Sequence, residues 1–304
     1  MIARLFILIA LVTAGSTAAW KLGSVKKFSA AACAVASLLQ PPLGVLAAPT
    51  GSVVVLGAGG KTGSQIVKIL ASEGVKVQPA YARETSNQFD GNENVYPPMV
   101  ADVTKAKGLA YALSGAKAVV FAASASGKGG NAEAVDYRGV VNTANAAIED
   151  SIPQLVVISS AAVTRPNSLG YKITNIFGGI MGYKIKGEDG LRAAYSSAGN
   201  DKLSYAIVRP GGLMDGDAVG VKAVELNQGD TIAGEVNRAD VAEAAAAAAI
   251  SSTIPKRVTF EISELGRTAA LEGGLKSKSG YEQSGKDSYD KLFEGLKPNF
   301  DRVL

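Results

Sequence analysis

Residues Ser52 to Gly63 read SVVVLGAGGKTG, and the chain runs on as QIVKILASEG over 65–74. The β-branched apolar run predicts a buried strand, and the i, i+3, i+4 apolar spacing after it predicts a helix. Between them, Gly57, Gly60 and Gly63 form a G-x-x-G-x-x-G turn. Such glycines allow a tight turn, let backbone N–H groups approach a pyrophosphate, and let the helix pack close to the strand. Lys61 and Thr62 open the helix, whose N-terminus adds partial positive charge for phosphates. An ordinary strand-to-helix turn can carry the same pattern in a chain with 35 glycines in 304 residues. The flanking strand and helix favour the nucleotide-binding reading.

On the N-terminal side the composition changes. No Asp or Glu occurs before Glu73, while Arg4, Lys21, Lys26 and Lys27 are all basic. Met1 to Ala19 has a basic start, an apolar stretch from Leu5 to Val12 and a small-residue end, which reads as a cleaved signal peptide. Residues 20–50 contain a second apolar stretch, Phe28 to Leu39, behind Lys26 and Lys27. Two such units in series resemble the bipartite presequences of plastids bounded by extra membranes, with Trp20 just after the first cleavage; one signal peptide and an alanine-rich spacer is the other reading. The stroma is favoured over the thylakoid lumen.

Charge follows the same division. The chain holds 31 Lys and Arg against 27 Asp and Glu, and the four basic residues before Gly51 account for the excess. The pI of about 8.9 therefore describes the presequence, and the neutral remainder lacks the basic stripe a nucleic-acid partner needs. Gly51 to Leu304 is long enough for one α/β domain. The single cysteine, Cys33, excludes a disulfide framework, and the lack of histidine excludes Ser-His-Asp hydrolysis and the usual zinc sites. Tyr, Lys, Ser and carboxylates are left to do any chemistry, and no metal site is expected.

After the first helix, apolar strands alternate with helices. Strands are predicted over 75–82, 95–100, 118–123, 155–159, 203–208 and 258–262, with helices over 105–113, 135–149, 184–197 and 240–250. This alternation predicts a doubly wound parallel sheet covered on both faces, the Rossmann architecture, over 51–265. Arg83 directly follows the second strand, where an arginine can pair with the 2′-phosphate of NADP and an acid would favour NAD. A solvated surface arginine is its other reading. Asp102 and Val103 follow the third strand, where Asp102 could meet the adenine amine or cap the next helix.

GAGGKTG, ADVT, VVFAAS, VVISSAAV, YKIKGEDGLR, YAIVRPGGL and GEVNRADVAEAAAAA occur in the order and approximate spacing of the atypical short-chain dehydrogenase/reductases. From Ser52 to about Ile262 the chain is similar to the NAD(P)-binding, NmrA-like chloroplast proteins, including the Rossmann part of a Tic62-like translocon component. The resemblance implies a cofactor lying along Ala122 and Ala123, with Pro210, Gly211 and Gly212 under its nicotinamide end. It implies structural roles for Arg238 and Asp240. It matches Lys186 to the lysine that binds the nicotinamide ribose and Ser160 to the serine that orients a substrate carbonyl; Ser160 could instead bond local backbone.

These reductases use a tyrosine proton donor four residues before that lysine, and here the position is Gly182. Tyr183 is three residues before Lys186, a rotation of roughly a hundred degrees out of register. The leading expectation is an NADPH-dependent oxidoreductase or isomerase acting on a small apolar carbonyl or olefin, assisted by Ser160 or Tyr183. The alternative is a non-catalytic NADP(H)-binding sensor or assembly factor for a photosynthetic or import complex, peripheral to the thylakoid membrane, as monomer or dimer.

Three other segments carry readings. Ile173, Ile176, Phe177, Ile180 and Met181 follow helical spacing, which fits a core-facing helix better than a lid or membrane contact. Glu188 and Asp189 are helix neighbours that point apart, so solvation or capping is expected. Residues 273–286 read as a Gly/Ser/Lys linker, and Ser288 as the cap of an amphipathic helix that docks on its own domain.

Overall fold

The computed structural model describes residues 47–125, 130–176, 178–271 and 282–300. The presequence over 1–46 with Cys33, as well as Gly127, Gly129, Phe177 and most of the linker, lies outside these residues. The strands are β1 (Val53–Leu56), β2 (Val77–Tyr81), β3 (Met99–Val100), β4 (Ala118–Phe121), β5 (Gln154–Ile158), β6 (Ser204–Pro210), β7 (Gly212–Met214), β8 (Val224–Asn227), β9 (Ile232–Ala233), β10 (Glu235–Asn237), β11 (Val258–Glu264), β12 (Ala269–Ala270) and β13 (Gln283–Ser284). The helices are α1 (Lys61–Ser72), α2 (Ala106–Leu113), a π-helical turn (Glu133–Gly139) running into α3 (Val140–Glu149), α4 (Leu169–Asn175), α5 (Ile180–Ala198), α6 (Arg238–Ile250) and α7 (Tyr289–Phe293).

Among the described residues the main sheet runs β13-β8-β11-β6-β5-β4-β1-β2-β3. From β3 through β11 every pairing is parallel, and β8 and β13 extend that edge antiparallel. This is the doubly wound α/β architecture, with its order reversing between β1 and β4. The four residues of β1 show why its sequence is apolar without alternation. Val53 and Val55 pack with Ile66 and Leu70 of α1 and Ala245 of α6, while Val54 and Leu56 pack with Leu109 of α2 and Ala144 of α3. Both faces of the sheet are covered, so neither face selects polar residues. Leu292 and Phe293 of α7 join the first of these cores, and Ser288 Oγ caps the helix by accepting Lys291 N–H at 3.4 Å.

The structure departs from the expected elements around residue 178. Gly178 and Gly179 have φ of 73° and 71°, a left-handed pair that splits the apolar Ile173–Met181 stretch into α4 and α5. Ile180 and Met181 are buried with Ala162 and Val163, whereas Ile173 and Ile176 are exposed. The core-facing expectation thus holds only for the second half of the stripe. Helix α5 also begins four residues earlier than its polar sequence suggested. Among the described residues no helix is long and apolar enough to cross a membrane.

Candidate cofactor site

The glycine loop lies at the carboxyl end of β1, at the point where strand order reverses and open α/β sheets bind their ligands. Gly57 has φ of 80°, and a Cβ there would stand 2.7 Å from the Ala123 backbone nitrogen. A Cβ on Gly63 would fall inside the Gly57 carbonyl. These two glycines let β1, β4 and α1 converge. The N-cap of α1, Gly60, brings no side chain to cap the helix, so its first N–H groups face outward for a phosphate. Lys61 Nζ lies 2.5 Å from Asp215 Oδ2, and Arg238 pairs with the other oxygen of the same carboxylate. The hydrogen bond from Lys61 and the nearby Arg238 charge hold Asp215 below its ordinary carboxylate value.

A cavity of about 1100 Å³ opens beside this loop. Gly57, Gly60, Lys61, Thr62, Ala122 and Ala123 line one side. Pro210, Gly211 and Gly212 line another, with Ser124, Ser159 and Ser160 between them. Ile158, Ile180, Leu213 and Leu271 give it an apolar wall. Ser160 Oγ, on this lining, donates to the Ala161 carbonyl at 3.1 Å. A dinucleotide fits this shape: glycine backbone and cations at one end, an apolar wall and hydroxyls at the other.

The lysine of α5 that lines the cavity is Lys184. Its Nζ lies 2.9 Å from Oδ1 of Asp136, whose side chain is wholly buried. Asp136 also accepts Ser124 Oγ–H and Ala125 N–H, each at 2.9 Å. Close helix contact makes this possible, because a Cβ on Gly187 would collide with the Asp136 carbonyl. One turn before Lys184, on the same helical face, Ile180 lines the cavity where the reductase tyrosine would stand.

Lys186 is exposed and sits 5.4 Å over the Tyr183 ring. Tyr183 itself is half-buried against the Ile180 and Met181 cluster, and neither residue lines the cavity. Two residues along a helix is a rotation of roughly 200°, so matching the family lysine to Lys186 turns it away from the site. Lys184 is the residue of this pair that lines the cavity. Asp102 accepts Thr104 N–H at 3.0 Å and Thr104 Oγ–H at 2.7 Å, closing the turn into α2. Asp102 thus closes a local turn and does not cap α2, whose N-cap is Lys105 with no side-chain cap bond. Val103 is buried against Gly139, and neither it nor Asp102 lines the cavity. Arg83 is exposed two residues beyond β2. Tyr81, at the end of that strand, lies against Gly59, and its hydroxyl accepts Gln88 Nε2 at 2.9 Å.

Behind the site lies a charge cluster that the sequence reading did not foresee. Glu188, expected at the surface, is buried and accepts Arg209 Nη2 at 2.6 Å, Arg192 Nη2 at 2.9 Å and the Ser159 hydroxyl. Burial alone would raise its pKa, and the two guanidiniums more than offset this, holding it at about 2. Glu261 touches Arg209 at 3.2 Å, but its burial outweighs that single contact; with the Asp230 charge nearby its pKa rises to about 8. Because Glu188 is one turn beyond Lys184, its anchor on β6 fixes the rotation of α5 that aims Lys184 into the cavity. Asp230, also buried, accepts Ala162 N–H, Thr164 N–H and the Thr164 hydroxyl at 2.6–2.7 Å, pinning the loop after Ser160.

Comparisons with known proteins agree with this fold. The chain aligns over 75% of its length with 99% of a protein from Bacillus halodurans described as an NAD-dependent epimerase/dehydratase, at 24% identity and a TM-score of 0.53. ChuY, an anaerobillin reductase from Escherichia coli, is 23% identical over 71% of this chain and 98% of its own, with a TM-score of 0.54. A short-chain dehydrogenase/reductase from Veillonella parvula, solved in complex with NADP, matches over 72% of this chain and 97% of its own at 17% identity and a TM-score of 0.50. These likenesses establish the fold. No curated protein matches the chain. Residues 57–251 match the family model described as NAD(P)H-binding, from the first loop glycine to the end of α6, and the chain belongs to that family.

Proposed function

We propose that the protein is an NADPH-dependent reductase or isomerase of a small, largely apolar carbonyl or olefinic compound. The observation that carries this reading is Lys184, aimed by a buried carboxylate into an apolar cavity that begins at the glycine loop. Bound NADPH supplies hydride chemistry. The glycine loop, Lys61 and Arg238 would hold its phosphates, and Lys184 would donate to its nicotinamide ribose. The ammonium of Lys184 and the hydroxyl of Ser160 are proton-bearing groups on the lining, so a substrate oxygen developing negative charge would be stabilised by them. The apolar wall of Ile158, Ile180 and Leu271 excludes water.

A second reading, a cofactor-binding sensor without turnover, is favoured by one observation. Ile180 stands where a reductase tyrosine would donate a proton. Stereospecifically deuterated NADPH separates the two. Incubated with apolar aldehydes, ketones and enones, the protein is expected to move the label into product, and a Gly63→Val variant is expected not to. Bound NADPH with no label transfer across these classes would support the sensor.

The exposed Arg83 beyond β2 supports a preference for the 2′-phosphate. NADPH is expected to bind about tenfold tighter than NADH, the effect of one charge-assisted contact at an exposed site. Arg83→Ala should bring the two dissociation constants together in a fluorescence titration. Equal affinities in the unaltered protein would refute the preference.

A further inference from the structure

The three most exposed large apolar side chains among the described residues are Ile176, Leu169 and Ile173, at 78, 73 and 54% exposure. They fall at i, i+4 and i+7 along α4 and its C-cap residue, so they form one outward stripe. The other faces of this short helix are committed. Tyr171 packs into the Ile180 and Met181 cluster, and Asn175 Oδ1 accepts Met181 N–H at 3.1 Å. Gly170 and Thr174 line the cofactor cavity. Leu213, 40% exposed, lines the same cavity. The stripe therefore borders the mouth of the site. A contiguous apolar patch at such a place marks an interaction surface.

Charge decides what kind of surface it fits. From Ser151 to Gly187 the chain contains no Asp or Glu, and its four charged residues are Arg165, Lys172, Lys184 and Lys186. Lys184 is turned inward on Asp136, while Lys172 and Lys186 are exposed. Lys172 flanks the apolar stripe on α4. An apolar helical face flanked by a lysine, in a segment that is basic and free of acids, is the pattern of a helix lying in the interface of an anionic bilayer. We propose that α4 docks this protein on an anionic lipid surface, placing the mouth of the cavity against the headgroups. The docking stands apart from the catalytic reading, since it needs only the stripe and the lysines.

The test places a bimane label at Ile176→Cys, in the full chain with Cys33→Ser, and titrates vesicles of phosphatidylcholine with and without 30% phosphatidylglycerol. A second label at Lys107→Cys, exposed on α2, reports attachment elsewhere. The expected result is a blue shift and loss of aqueous quenching at position 176 only, and only with anionic vesicles. Leu169→Ser with Ile173→Ser should weaken that signal about tenfold or more, and Lys172→Glu about fivefold, with the Lys172→Glu difference shrinking as salt is added. NADPH binding by both variants should be unchanged. Three outcomes would overturn the proposal: a label at 176 still quenched while the protein sediments with vesicles, equal signals from neutral and anionic vesicles, or protection without vesicles in a protein that sediments as a dimer. The last would assign the stripe to a second copy of this chain.

Discussion

Lys184→Ala is expected to weaken NADPH binding by about 10- to 100-fold, whereas Lys186→Ala should leave it within about twofold. The first figure is the loss of a hydrogen bond from a charged donor, about 1.5–3 kcal/mol. The second follows from the exposed position of Lys186 over the Tyr183 ring. Lys184→Ala also leaves Asp136 buried without its cation, which should cost about 3–5 kcal/mol of stability. The two effects can be separated. Lys184→Met with Asp136→Asn removes the orphaned charge and should recover much of the stability, while NADPH affinity stays low. Isothermal titration beside urea denaturation reads both quantities. A Lys186→Ala protein with the larger loss would return the ribose-binding role to the residue matched by sequence alone.

The difference between these two lysines shows where the sequence was readable. The loop from Gly57 to Gly63 was legible because its spacing encodes local backbone geometry, and the central strands β1, β4 and β5 announced themselves as apolar runs. The placement of Lys184 was not. It depends on where α5 begins, and that is set by Gly178 and Gly179 and by Asn175 accepting the amide of Met181. With Ile180 in the tyrosine's place, the pattern that would have marked Lys184 is absent, and the nearer Tyr183 drew attention to the wrong lysine. Asp136 and Asp215 were equally invisible, since each meets its lysine partner across 48 residues or more of chain. The burial of Glu188 is a tertiary fact of the same kind. Its neighbour Asp189, exposed and bonded to Arg192, is what the helical surface pattern led one to expect of both.

Glu188→Gln is expected to cost about 3–5 kcal/mol of stability at neutral pH, or a fall in Tm on the order of 10 °C. Arg209 is wholly buried, and Glu188 is the acid that neutralises it at two contacts. Glu261 is a poor substitute while its own pKa stands at about 8, because near neutrality it carries its proton. The pH dependence distinguishes the two acids. Glu188 is depressed from an ordinary 4.5 to about 2, so its stabilisation is full above 4.5 and disappears as pH falls from 4.5 toward 2. Glu261 is raised, so the folded state holds a proton that the unfolded chain has released, and stability declines as pH rises from 4.5 to about 8. Glu261→Gln should therefore be close to neutral at pH 5 and more stable than the parent protein at pH 8–9. In Glu188→Gln the alkaline decline should shrink, because Arg209 then draws Glu261 into ionising. The double Gln variant should lose more than the sum of the single changes, since neither acid remains to meet the guanidinium. Urea denaturation from pH 3 to 9 measures all three proteins, and a Glu188→Gln variant as stable as the parent at pH 7 would remove the cluster as the anchor that orients α5 and, with it, Lys184.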